Sequence, residues 1–226
     1  MTPSPIPPDL PRRGFLGRLA VGAAALAVAA LPSTASAERR LRRQSEDPDH
    51  WLDALTGKHR QIFDVISPDQ AATGAAFARN FLNADNDGYH LPDKDVNAVV
   101  SFRHVAFAMG LNDAMWKKYR LGTIVGYQDG STGRPAERNT LAGSAGDTRK
   151  ESASLAALHS RGCVFAVCGM AMAHFAGELA KSEKTDGASI VADFRANLVP
   201  GAVEVVAGVV AVNRAQERGF SYVYVG

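Results

Sequence analysis

Two cysteines five positions apart hold most of the reactive potential of this 226-residue chain. They bracket the apolar run Cys163-Val164-Phe165-Ala166-Val167-Cys168, after which Gly169 turns into a segment of helical period over 170–181. In an open parallel sheet, ligands and chemistry collect outside the carboxyl ends of strands. A thiol there, at the start of a helix, meets backbone amides that have no partner in the helix, and their partial positive charge favours the reactive thiolate. The same amides suit a persulfide or an oxyanion. Cys168 also admits a plainer reading as a small core residue, and that reading fits Cys163, which lies inside the strand. The two thiols are not expected to join. Five extended residues at about 3.3 Å each separate their Cα atoms by roughly 16 Å, against about 4.4–6.8 Å in a disulfide.

His104 is the second candidate. It follows the strand-like run 96–102, with Arg103 and Asn112 nearby in sequence, and a neutral imidazole at the same sheet edge as Cys168 would serve as base or partner to the thiol. An exposed or hydrogen-bonded loop histidine is the alternative. Cys168, Met170, Met172 and His174 alternate as soft donors that suit copper, but helical residues two apart point to different faces, so no metal is assigned. His159 and His174 are taken as structural. The chain has no Walker-type glycine loop, dinucleotide fingerprint or nucleophile elbow, and no cofactor is expected.

The elements that must position these residues alternate between apolar strands and helical periods. Strands are expected over 61–66, 96–102, 163–168, 203–206 and 222–225, and helices over 71–82, 111–119, 150–160, 170–181, 190–197 and 209–218. Five strands with helices between them predict an α/β fold, a three-layer α/β/α sandwich with a mostly parallel five-stranded sheet. Residues 121–147 hold six glycines and little periodicity, which predicts a surface excursion or a lid.

The amino terminus reads as a twin-arginine signal. Arg12 and Arg13 precede the alanine-rich apolar run 19–31, which is short and weakly apolar for a membrane span, and the small residues of 32–37 place cleavage after Ala37. Such substrates cross the membrane already folded, so the Tat translocase is an expected partner, the periplasm the expected location, and no stable membrane anchor is expected. Residues 38–60 then form an amino-terminal extension ahead of a domain over 61–226. Removing 37 residues leaves 189 of 226, and removing Arg12, Arg13, Arg18 and Asp9 takes the formal charge from +2 to 0. The cluster Arg39, Arg40, Arg42 and Arg43 lacks interleaved aromatics, which argues for a solvated tail and against nucleic-acid binding.

The carboxyl-terminal half resembles the DsrE-like (DsrE/DsrF, DsrEFH) proteins of sulfur metabolism. The resemblance covers about 97–226. It rests on Gly162-Cys163-Val164-Phe165-Ala166-Val167-Cys168-Gly169, on Leu198-Val199-Pro200-Gly201-Ala202-Val203, and on Ala215-Gln216-Glu217-Arg218-Gly219-Phe220-Ser221-Tyr222-Val223. It implies a small α/β/α fold, assembly into homo-oligomers or hetero-oligomers, and a strand-end cysteine that carries sulfur as a persulfide between a donor and an acceptor protein. Cys168 stands at the matching position. The export signal, the insertion 121–147 and the extension 38–60 depart from the pattern. The expected function is sulfur or thiol handling through Cys168, and the alternative is a non-catalytic module that holds a small ligand or metal in the strand-end crevice and the 121–147 loop.

Overall fold

The computed structural model describes residues 47–226. The signal segment 1–37, its cleavage position, the arginines at 39–43 and the first part of the extension lie outside the described residues.

Strand β1 (His59–Val65) is followed by helix α1 (Pro68–Tyr89) and strand β2 (Val96–Phe102). The helix is longer than the predicted 71–82 because its stop signals are not apolar. Ser67 caps it by accepting the Asp69 amide, Pro68 fills the first turn, and His90 closes it in the left-handed region at φ 57°. Every residue of β2 is buried, as a central strand covered on both faces requires.

The next stretch departs from the predicted helix 111–119. A 3₁₀ segment (His104–Gly110) comes first, with Ala106, Phe107, Ala108 and Met109 buried, and helix α2 is only Asp113–Lys118. Leu111 instead bridges to Leu198, and the Asn112 side chain caps the helix by accepting the Met115 amide at 3.3 Å.

Residues 121–147 contain helix α3 (Leu121–Ile124) and a short antiparallel pair, β3 (Gln128–Asp129) with β4 (Arg134–Pro135). The segment is pinned at Asn139, which is 3% exposed. Its side-chain amide donates to the Met109 and Leu111 carbonyls at 2.8 and 2.9 Å, and its backbone amide donates to Asp113. Helix α4 (Leu155–Ser160) starts five residues later than predicted, because the Ser154 hydroxyl accepts the Ala157 amide and sets the cap there.

Strand β5 (Val164–Cys168), helix α5 (Gly169–Glu183), helix α6 (Gly187–Ala196), strand β6 (Ala202–Val205), helix α7 (Gly208–Glu217) and strand β7 (Ser221–Val225) complete the chain. The five long strands form one all-parallel sheet in the order β6-β5-β2-β1-β7. Alternation along each strand divides the core between two faces. Phe63, Val100, Phe102, Phe165 and Val167 join the larger cluster with residues of α1, α5 and α6. Ile62, Val99, Ala166 and Val205 face the smaller one, closed by Ala211 and Ala215 of α7 and by Trp51, Leu52 and Leu55. The sheet therefore lies between two layers, the expected α/β/α sandwich.

The described part of the extension belongs to the smaller layer. Its 3₁₀ turn (His50–Leu52) is fastened to α7 by ion pairs from Asp49 to Arg214 and from Asp53 to Arg218. Among the described residues, no helix is long and apolar enough to cross a membrane.

Candidate functional site

Strand β5 delivers Cys168 to the carboxyl edge of the sheet, and the chain turns there into α5. Cys168 is the N-cap of that helix, and its Sγ accepts a hydrogen bond from the Ala171 amide at 3.4 Å. Gly169 permits the turn: a Cβ there would stand 2.8 Å from Glu204 Oε1 and 3.0 Å from the Val205 carbonyl. With 7% of the residue exposed, a reagent reaches the sulfur only by entering the cavity beside it.

That cavity holds about 340 Å³. Arg103 and His104 line it from the end of β2, Met170, Ala171, His174 and Phe175 from the first turns of α5, and Ala207, Gly208 and Val209 from the start of α7. The fold thus aims two helix amino termini at one crevice. No carboxylate is among the lining residues.

Arg103 is held by a network that crosses three strands. Its Nε and Nη2 donate to the two carboxylate oxygens of Asp64 at 2.7 and 2.9 Å, and the Tyr222 hydroxyl donates to the same carboxylate at 3.0 Å. Asp64 is 2% exposed. Hydrogen bonding to this carboxylate raises the Arg103 pKa further above its ordinary value, while burial and the same bond push the Tyr222 hydroxyl up. Gly208 lets α7 approach the guanidinium stem, since a Cβ there would lie 2.5 Å from Arg103 Cβ. His104 next to it is exposed and sits in the left-handed region at φ 53°. A non-glycine residue in that region stores strain, and such strain clusters at functional sites.

The two predicted site residues, Cys168 and His104, line one cavity. Arg103 joins them, whereas Asn112 does not, being occupied at the start of α2. Among the described residues, the Sγ hydrogen bond of Cys168 goes to the Ala171 amide and none links it to His104. Of the alternating soft donors, Met170 and His174 line the cavity with Cys168, and Met172 is fully buried in the core. His174, expected to be structural, is among the residues that line the cavity. Its sequence signal was the four-residue step from Met170, which places both on one helical face. No group of three or more His, Cys, Asp or Glu capable of holding a metal occurs among the described residues. Asp64 and Tyr222 were missed, although a carboxylate inside the run Ile62-Phe63-Asp64-Val65 was a visible anomaly.

Comparison with protein-family models, with curated proteins and with solved structures gives no match to the chain.

Cys163 defines the contrast. It is 1% exposed, and burial pushes its thiol up to about 12, with the nearby Arg161 guanidinium opposing only part of that shift. A thiol so protonated is inert at neutral pH. Both cysteines are free.

The 121–147 segment does not cover Cys168, since none of its residues line that cavity. With the residues that follow, it instead borders a second cavity of about 640 Å³ near the amino ends of β5 and β6, lined by Asn112, Ala142, Asp147, Leu155, His159 and Val199 among others. Asp147 organises one wall. Its carboxylate accepts bonds from Arg149, Ser152 and Ser154, and the Arg149 and Ser152 bonds lead in lowering its pKa well below the usual carboxylate range.

Proposed function

We propose that this protein handles sulfur or thiols through Cys168, as a persulfide carrier or a redox thiol, and that it does so in the periplasm after export by the twin-arginine route. One observation carries the reading: the Cys168 sulfur caps α5 at the base of a cavity whose other polar side chains are Arg103, His104 and His174. A sulfur anion there is met by helix amides and by cationic or neutral nitrogen donors, and no carboxylate lines the cavity. The resemblance of 162–169, 198–203 and 215–223 to DsrE-like proteins supports the same reading. Homo-oligomeric assembly and a sulfur donor or acceptor protein belong to this proposal.

The test is site-resolved mass spectrometry of the full chain after exposure to inorganic polysulfide. The expected result is an adduct of about 32 Da, one sulfur atom, on the peptide holding Cys168 and its absence in Cys168→Ser. An unmodified Cys168, or sulfur on Cys163 alone, would overturn the reading. A second reading, a module that binds a small ligand, draws on the cavity beside Asp147 and His159. Native mass spectrometry decides it: a co-purifying small molecule that leaves on Ala156→Leu, a lining residue on helix α4, supports it, and an unliganded mass counts against it.

A further inference from the structure

We infer that the Cys168 cavity takes a small organic anion bearing a sulfane sulfur, of the thiosulfonate class, as its sulfur donor. This deepens the sulfur reading and rests on it. Three features of the cavity point to that class. First, the guanidinium of Arg103 is only partly engaged. Asp64 occupies Nε and Nη2, and among the described residues Nη1 has no hydrogen-bond partner, which leaves one charged edge for an oxyanion. His104 and His174 add nitrogen donors on the same walls. Second, the rest of the lining is apolar: Met170, Ala171, Phe175, Ala207 and Val209. An inorganic anion leaves those walls unused, while an alkyl or aryl body covers them. Third, the cavity of about 340 Å³ stands at the small end of the range of about 300–1,000 Å³ typical of small-molecule sites.

The transfer balances without an oxidant. The Cys168 thiolate attacks the terminal sulfur of R–SO₂–S⁻, a Cys168 Sγ–S bond forms, and the S–SO₂R bond breaks with its electron pair leaving on the sulfinate R–SO₂⁻. If Cys168 starts as a thiol, its proton passes to an imidazole of the cavity or to water. The products are the Cys168 persulfide anion and a sulfinate, and total charge and atoms are unchanged.

Two measurements on the exported chain test this. In the first, benzenesulfinate, the unreactive leaving group, is titrated calorimetrically into Cys168→Ala. Binding is expected, and Val209→Glu, which sets a carboxylate at the exposed rim, should weaken it by about tenfold or more. Arg103→Gln should weaken it similarly, but it strands the buried Asp64, so Val209→Glu is the variant that cannot be dismissed as a folding defect. In the second, the rate of Cys168 persulfide formation is compared for benzenethiosulfonate, thiosulfate and inorganic polysulfide, with benzenethiosulfonate expected to exceed thiosulfate by about tenfold. If polysulfide loads Cys168 but benzenesulfinate does not bind and the two anionic donors react alike, the inference falls while the sulfur reading stands. If benzenesulfinate binds and no donor loads Cys168, the sulfur reading falls and takes the donor assignment with it.

Discussion

The two cysteines that flank β5, Cys163 just before its first residue and Cys168 as its last, stand in opposite physical states, and the strand starts one residue later than predicted. Cys163 is packed in the larger core with its thiol pushed up to about 12 by burial. At the carboxyl end, Cys168 caps a helix and borders a cavity with two histidines and an arginine. The difference lies in what continues each chain direction. Before Cys163, the backbone comes from Gly162 in the left-handed region at φ 86° and runs directly into the sheet. After Cys168, the strand stops, α5 begins, and α7 starts alongside it. Position at a strand's end thus separates a packing thiol from an available one, and composition alone does not.

The largest separation between the two sites is expected at alkaline pH. Burial pushes the folded Cys163 thiol up to about 12, against roughly 8.5 in an unfolded chain. Between these values the native state holds a proton that the unfolded state releases, so its contribution to stability is complete below the lower value and is lost as pH rises toward the higher. Stability should fall by roughly 3 kcal/mol by about pH 10.5 from this group. Denaturant melts of the native chain and of Cys163→Ala isolate it from tyrosines that titrate in the same range, and identical alkaline slopes would show that Cys163 is not so buried.

One substitution made at both ends sharpens the contrast. Cys163→Ser places a hydroxyl among apolar neighbours and should destabilise by about 1–3 kcal/mol. Cys168→Ser replaces a weak sulfur acceptor, 3.4 Å from the Ala171 amide, with a strong N-cap oxygen, and should stabilise by about 0.5–1 kcal/mol while abolishing sulfur loading. Chemical denaturation reads both, and equal losses at the two positions would erase the distinction.

Much of this contrast was legible beforehand. The strand, the Gly169 turn and the following helix placed Cys168 at a carboxyl edge, and the five alternating units gave the sandwich. The network behind Arg103 was not. Asp64, Arg103 and Tyr222 come from β1, the end of β2 and β7, and they meet only because β7 pairs with β1 after the chain has crossed from β6. No local period encodes that neighbour. The 121–147 segment hid its structure for another reason: besides a few irregularly spaced core residues it is held by a buried amide side chain, Asn139, whose bonds to Met109 and Leu111 leave no mark on hydrophobic spacing.

Timed alkylation of the native chain by iodoacetamide at about pH 8, with peptide mapping of each cysteine, tests the difference between the two ends most directly. With burial pushing its thiol up to about 12, only about one Cys163 in ten thousand is ionised at that pH. Cys168 should therefore react at least about a hundredfold faster than Cys163, with the two rates converging only in denaturant. Equal rates in the folded protein would contradict a privileged Cys168.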